Sequence, residues 1–119
     1  METALSDAEL RVMEVIWNEG EASATHITDV LGEQYNYNVS TTRTLISRCL
    51  KKGAIERVSP GYICRPLVTR EEVQASETDS LIDKMFGGSV DKLFAALVSR
   101  KKVSSDDLDR LRQIASDID

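Results

Sequence analysis

Cysteine, proline and histidine are scarce in this sequence, with two, two and one among 119 residues. Cys49 and Cys64 show no CxxC-type spacing that would hold a metal, and so few cysteines suit a reducing compartment. His26, the lone histidine, has no carboxylate or cysteine at useful spacing, which favours a surface or capping role over catalysis. No apolar run approaches the roughly 20 residues needed to cross a membrane, so no membrane partner is expected. The opening "METALSDAEL" lacks the basic start and apolar core of a signal peptide, and a cytoplasmic location is expected. The carboxylates are scattered along helix faces without a pocket-forming constellation, which gives an enzyme no footing and calls for no cofactor. Few aromatics and few prolines point to a mainly helical fold.

What is present is a segregation of charge. The formal net charge is −5, yet residues 1–39 hold eight acids and one base, and residues 71–119 hold eleven acids and seven bases. Between them, residues 40–70 hold seven bases and a single acid, Glu56. A basic block between acidic ones is a local footprint that the whole-chain charge conceals.

Along the chain, Ser6 and Glu9 make an S-x-x-E capping box ahead of "LRVMEVIWNEG", with Gly20 as the stop. Ala8, Val12, Val15 and Ile16 share one side of that helix and Leu10, Met13 and Trp17 a second, so it is expected between neighbours. Ser23 caps a second helix, "ATHITDVLGEQ", whose Ile27, Val30 and Leu31 face inward. A third spans "STTRTLISRCLKKG", with Ser40 as its expected N-cap and Gly53 as its stop. Two β-like runs follow, "AIERV" and "YICRPL", joined through Ser59-Pro60-Gly61 as a hairpin. Three helices and a hairpin in this order predict a winged helix-turn-helix over residues 1–68. Residues 69–119 form a separate helical region. In it, Thr69 and Glu72 cap a helix running to about Phe86, a short helix follows Gly87-Gly88, and Ser104 or Ser105 opens the last.

The third helix carries the functional signal. At about 100° per residue, Thr42, Leu45, Ile46, Cys49 and Leu50 gather in one apolar arc, and the rest of the surface is cationic and hydroxyl-rich. A solvated surface is the usual meaning of a basic helix face. Here acids are absent from the whole helix, the cations alternate with Ser and Thr, and the helix stands where a helix-turn-helix puts its major-groove reader. Double-stranded DNA is therefore the expected partner. Ser40, Thr41, Thr42, Arg43 and Thr44, near the helix N-terminus, are placed to reach base edges or the first phosphates. Arg43 is the candidate for bidentate contact with guanine. Ser47, Arg48, Lys51 and Lys52 are assigned to the DNA backbone. In the wing, Arg57, Tyr62 and Arg65 are placed to touch phosphates, with packing an equal reading for Tyr62. A winged helix used for protein contact, and a thiol- or metal-responsive regulator using Cys49 and Cys64, remain as other readings.

The C-terminal region holds more apolar stripe than a small helical appendage can bury. Val90, Leu93, Phe94, Leu97 and Val98 recur at helical spacing, as do Leu108, Leu111, Ala115 and Ile118. Together with Leu81 and Met85 they either fold back on the winged helix or pair two chains. A homodimer is the better expectation, because two-fold pairing doubles the contacts on a palindromic site.

The runs "LSDAELRVMEVIW", "TTRTLISRCLKKGAI", "GYICRPLVTREE" and "FGGSVDKLFAALV" together resemble the BlaI/MecI/CopY penicillinase-repressor family over nearly the whole chain. The resemblance implies a cytoplasmic dimeric repressor whose winged helix binds TACA/TGTA-type palindromes and whose C-terminal helices interlock. It implies Thr41, Thr42, Arg43 and Thr44 as the base-reading group. In the β-lactam branch of the family a membrane sensor protease triggers cleavage at an Asn-Phe bond. The matching bond here is Ala96-Leu97, which lacks that scissile pair. In the copper branch a C-terminal CxCxxxxCxC motif binds metal, and this chain ends "DRLRQIASDID" with no cysteine there. The resemblance thus implies repression of an antibiotic-resistance or stress/copper-type operon and leaves the inducer open.

Overall fold

A computed structural model of the chain describes residues 4–118. Among them the elements run α1 (Asp7–Glu19), β1 (Ala22–Ser23), α2 (Ala24–Tyr35), α3 (Val39–Lys51), β2 (Ile55–Val58), β3 (Ile63–Pro66), α4 (Arg70–Phe86), α5 (Val90–Ser99) and α6 (Ser105–Ile118). The chain divides into two compact units, one ending at Ala75 and the other beginning at Ser76.

In the first unit, the expected capping box forms at α1. The Ser6 hydroxyl accepts from the Glu9 amide at 3.1 Å, and the Glu9 carboxylate accepts from the Ser6 amide at 2.9 Å. Val12, Met13, Val15 and Ile16 are buried on α1, with Ala8, Leu10 and Trp17 packed around them. A helix apolar on two sides is thus enclosed by its neighbours, as its pattern required. Ser23 caps α2 through its hydroxyl, which accepts from the His26 amide at 3.0 Å, and Ile27 and Leu31 enter the core. Helix α3 packs against α1, α2 and β2, burying Leu45, Ile46 and Cys49. Each such side chain withdrawn from water contributes about 1.5–3 kcal/mol if large and fully buried. Gly53, with φ of +77°, ends the helix in a conformation that costs a residue with a Cβ.

The wing differs from a bare hairpin. The sheet has three antiparallel strands in the order β1-β3-β2. Between β2 and β3, Ile55 pairs with Pro66 and Val58 with Ile63, and the two-residue β1 adds Ala22 opposite Cys64 and Ser23 opposite Ile63. A strand that short leaves no alternation in the sequence. It forms because the chain entering α2 lies alongside β3, where the Ala24 amide also donates to the Tyr62 carbonyl at 2.8 Å. At the start of α4, Arg70 donates to both carboxylate oxygens of Glu14, at 3.0 and 3.2 Å, and Val73 is buried. The Trp17 indole N–H donates to the Val68 carbonyl at 2.9 Å.

In the second unit, the remainder of α4 is followed by α5, capped by Ser89, and by α6, whose first turn is closed by the Ser104 hydroxyl. None of its described residues is buried. Leu81, Met85, Val90, Phe94, Val98, Leu108, Leu111, Ile114 and Ile118 are all exposed, and Leu93 and Leu97 half-buried. The apolar stripe on α6 also includes Ile114, beside the expected Ala115.

Candidate nucleic-acid interface

Helix α3 is positioned from both ends. At its start the N-cap is Asn38, not Ser40: the Asn38 carboxamide oxygen accepts from the Thr41 amide at 2.8 Å. Asn38 takes the extended backbone (φ −78°, ψ 165°) that a cap requires. Ser40 lies inside the first turn and donates its hydroxyl to the same Asn38 oxygen at 2.9 Å. Serine and asparagine are equivalent caps by sequence. The turn out of α2 decides between them, because it ends at Asn36 in a left-handed conformation (φ 58°) and leaves Asn38 extended.

Around the helix, Ser40, Thr41, Arg43, Thr44, Ser47, Arg48 and Lys51 are exposed. Among the described residues Arg43, Arg48 and Lys51 form no ion pair with an acid, so their charge is open to an external anion. The Thr44 hydroxyl donates to the Ser40 carbonyl at 3.0 Å, which leaves its oxygen free as an acceptor. A groove beside the helix is lined by Arg43, Ser47 and Ile46 of α3, Ala24 of α2 and Tyr62 of the wing. The basic helix and the wing therefore share one surface.

Two assigned positions do not belong on that surface. Thr42 is fully buried. It falls in the arc of Leu45, Ile46 and Cys49, and it cannot meet DNA without leaving the core. Lys52 turns the other way from Lys51. Its ammonium donates to the Glu9 carboxylate at 2.6 Å and to the Ala4 carbonyl at 2.8 Å. The Glu9 side chain is only 3% exposed. Burial works to raise its carboxyl, but the hydrogen bonds and charge of Lys52 and the Ser6 amide outweigh it, and the carboxyl is held below its usual range. Sequence showed Glu9 as a cap. Its second partner lies 43 residues away, a separation no local pattern reports.

In the wing, Arg57 and Arg65 are exposed. The Arg57 guanidinium stacks over the Tyr62 ring at 4.2 Å from its centroid, an arrangement that fixes the direction of the charge. Tyr62 is half-buried and serves as the platform. Arg65 donates to Glu21 at 3.3 Å across the sheet, with both side chains about half exposed, a weak tie at such exposure. His26 stands on the surface, 3.6 Å from Glu19.

The cysteines are poorly placed for sensing. Both are fully buried and unpaired. Burial, with the negative charge of Glu9 behind it, pushes the Cys49 thiol up to about 12, and burial likewise raises Cys64. Thiols held in this way stay protonated and react slowly. Among the described residues no group of three or more His, Cys, Asp or Glu side chains could hold a metal ion, and no helix is long and apolar enough to cross a membrane. The Ala96-Leu97 bond lies inside the regular helix α5, with the Ala96 carbonyl accepting from the Arg100 amide at 3.1 Å.

The chain is similar to known proteins over most of its length. The methicillin resistance regulatory protein MecI of Staphylococcus aureus (strain N315) is 32% identical over 112 residues, covering 92% of this chain and 91% of that protein. The penicillinase repressor of Bacillus licheniformis is 23% identical over 112 residues, covering 92% of this chain and 88% of that one. A solution structure of the DNA-binding domain of the repressor BlaI superposes with a TM-score of 0.54 at 28% identity, over 60% of this chain and 93% of that one. That match supports the winged-helix architecture of mainly α structure with a small sheet. The family model described as penicillinase repressor matches residues 5–117, and the chain belongs to the penicillinase repressor family.

Proposed function

We propose that the protein is a sequence-specific DNA-binding repressor that occupies an inverted-repeat operator of the TACA/TGTA type as a cytoplasmic homodimer. Residues 1–68 serve as the DNA-binding domain and residues 69–119 as the dimerisation domain, and the controlled genes are of the β-lactam-resistance or stress/copper type. The observation that carries this reading is the outward face of α3, where Arg43, Arg48 and Lys51 stand exposed among Ser40, Thr41, Thr44 and Ser47 without an acid partner among the described residues. Family membership supports it. DNA presents a dense line of phosphates to such a face and base edges to the residues at its N-terminal end.

Arg43 and Thr44 then read bases with Thr41, while Ser47, Arg48 and Lys51 hold the backbone. Arg57, set by Tyr62, and Arg65 meet flanking phosphates. A dimer follows from the second unit, whose apolar side chains on α4, α5 and α6 stay exposed in the single chain. A sensor protease is one candidate partner for induction, and the inducing signal stays open. Cleavage at Ala96-Leu97 first requires α5 to unwind, because a protease takes its substrate extended.

The test compares Arg43→Ala with Lys51→Ala on an operator duplex and a scrambled one. Arg43→Ala should cost roughly 1–3 kcal/mol on the operator and relax base preference, whereas Lys51→Ala should weaken both duplexes alike. Wild-type binding by both variants would remove this face from the account.

A further inference from the structure

Two lysines adjacent in sequence, Lys51 and Lys52, end up with different surroundings. Lys51 is exposed, while the Lys52 ammonium is committed to a carboxylate in the core. We propose that Lys52 and Glu9 form a positioning pair that sets the pose of the DNA-reading helix, and that Lys52 is not a phosphate ligand. This rests on the DNA-binding reading above and deepens it.

The geometry is that of a fastening. Glu9 lies in the first turn of α1 and Lys52 is the C-cap of α3. The Glu9 carboxylate accepts from Lys52 at 2.6 Å and from the Ser6 amide at 2.9 Å. One turn back along α3, the Cys49 thiol points at the Glu9 backbone carbonyl at 3.8 Å. Two side chains of α3 thus meet one residue of α1, and the Ala4 carbonyl takes a further hydrogen bond from Lys52 at 2.8 Å. Rotating α3 about its axis, or sliding it along α1, breaks these contacts together. Turning Lys52 out to a phosphate would leave a buried carboxylate without its counter-charge, an arrangement proteins avoid. The pair holds the C-terminal end of α3 while the Asn38 cap shapes its other end. Arg43 and Thr44, between the two, are aimed by both.

The experiment uses the full chain and two duplexes, one bearing the TACA/TGTA inverted repeat and one scrambled. Lys52→Met, Glu9→Gln and the double variant are compared at temperatures where circular dichroism shows each folded. The expected result is a fall in the operator-to-scrambled affinity ratio by roughly tenfold, the scale of one lost base contact. The two single variants should match, and the double should be no worse than either. The salt slope should stay at its wild-type value. A salt slope reduced by about one in Lys52→Met alone, with Glu9→Gln unchanged, would make Lys52 a phosphate ligand and overturn the proposal. Wild-type ratios in both would overturn it as well.

The wild-type chain supplies a second measurement that needs no variant. Amine acetylation read by mass spectrometry should find Lys51 reactive alone and protected on DNA, and Lys52 equally unreactive in both states. Protection of Lys52 that appears only with DNA contradicts the pair. If wild-type protein binds neither duplex at low salt, the DNA-binding reading fails first and takes this one with it.

Discussion

Thr42 places a hydroxyl in the core on the inner arc of α3, and among the described residues that oxygen has no hydrogen-bond partner. Threonine in a helix commonly donates back to the carbonyl four residues earlier. The Thr44 hydroxyl does so in this helix, onto the Ser40 carbonyl, and the Thr42 hydroxyl does not. An unmet buried hydroxyl costs about 1–3 kcal/mol. Thr42→Val removes the hydroxyl and keeps the branch, so it should stabilise the fold by about 1 kcal/mol, seen as a raised denaturation midpoint, with DNA affinity unchanged. A lower midpoint would show that the oxygen is satisfied after all. The same residue marks how far the sequence could be read. Helical spacing placed Thr42 on the inner arc beside Leu45 and Ile46, while its residue type and its place in the motif drew it into the DNA-contacting group. Burial decides the matter in favour of spacing. For Lys52 spacing was no help, because its direction is set by Glu9, and that contact exists only once α1 and α3 have packed.

The cap of α3 links local structure to the candidate site. Asn38 satisfies the Thr41 amide and receives the Ser40 hydroxyl, so it orders the stretch that carries the first outward hydroxyls. Asn38→Ala should cost about 1 kcal/mol of stability, measured by chemical denaturation, and should also weaken operator binding. Replacing Ser40 with Ala should cost much less stability, since it is not the cap. Equal losses would reverse that assignment. Most helices were legible because each has a capping residue and an apolar period. Ser6 and Glu9 framed α1, Thr69 and Glu72 framed α4, and Gly53 closed α3. The hairpin was legible from Ser59-Pro60-Gly61 between two β-rich runs. Strand β1 was not, since Ala22 and Ser23 become a strand only by lying against Cys64 and Ile63.

Along the chain, net positive charge and most exposed apolar side chains fall in different units. Net positive charge is confined to residues 40–70, acids outnumber bases on either side, and the second unit keeps its apolar side chains exposed. A monomer leaves that surface in water, which favours pairing with a second copy. Phe94→Asp with Leu97→Asp places charges on the α5 stripe and should give monomers by light scattering, with operator affinity falling more steeply than affinity for scrambled DNA. Dimers that persist would move the interface off α5.

If α3 and the wing meet DNA phosphates, wild-type binding to an operator duplex must depend on salt. Four phosphate-facing cations, Arg48, Lys51, Arg57 and Arg65, predict that log K falls linearly with log salt. The slope should lie between roughly −3.6 for one bound chain and −7 for a dimer, at about 0.9 per neutralised phosphate. A slope near zero, or no binding even at low salt, would contradict the account.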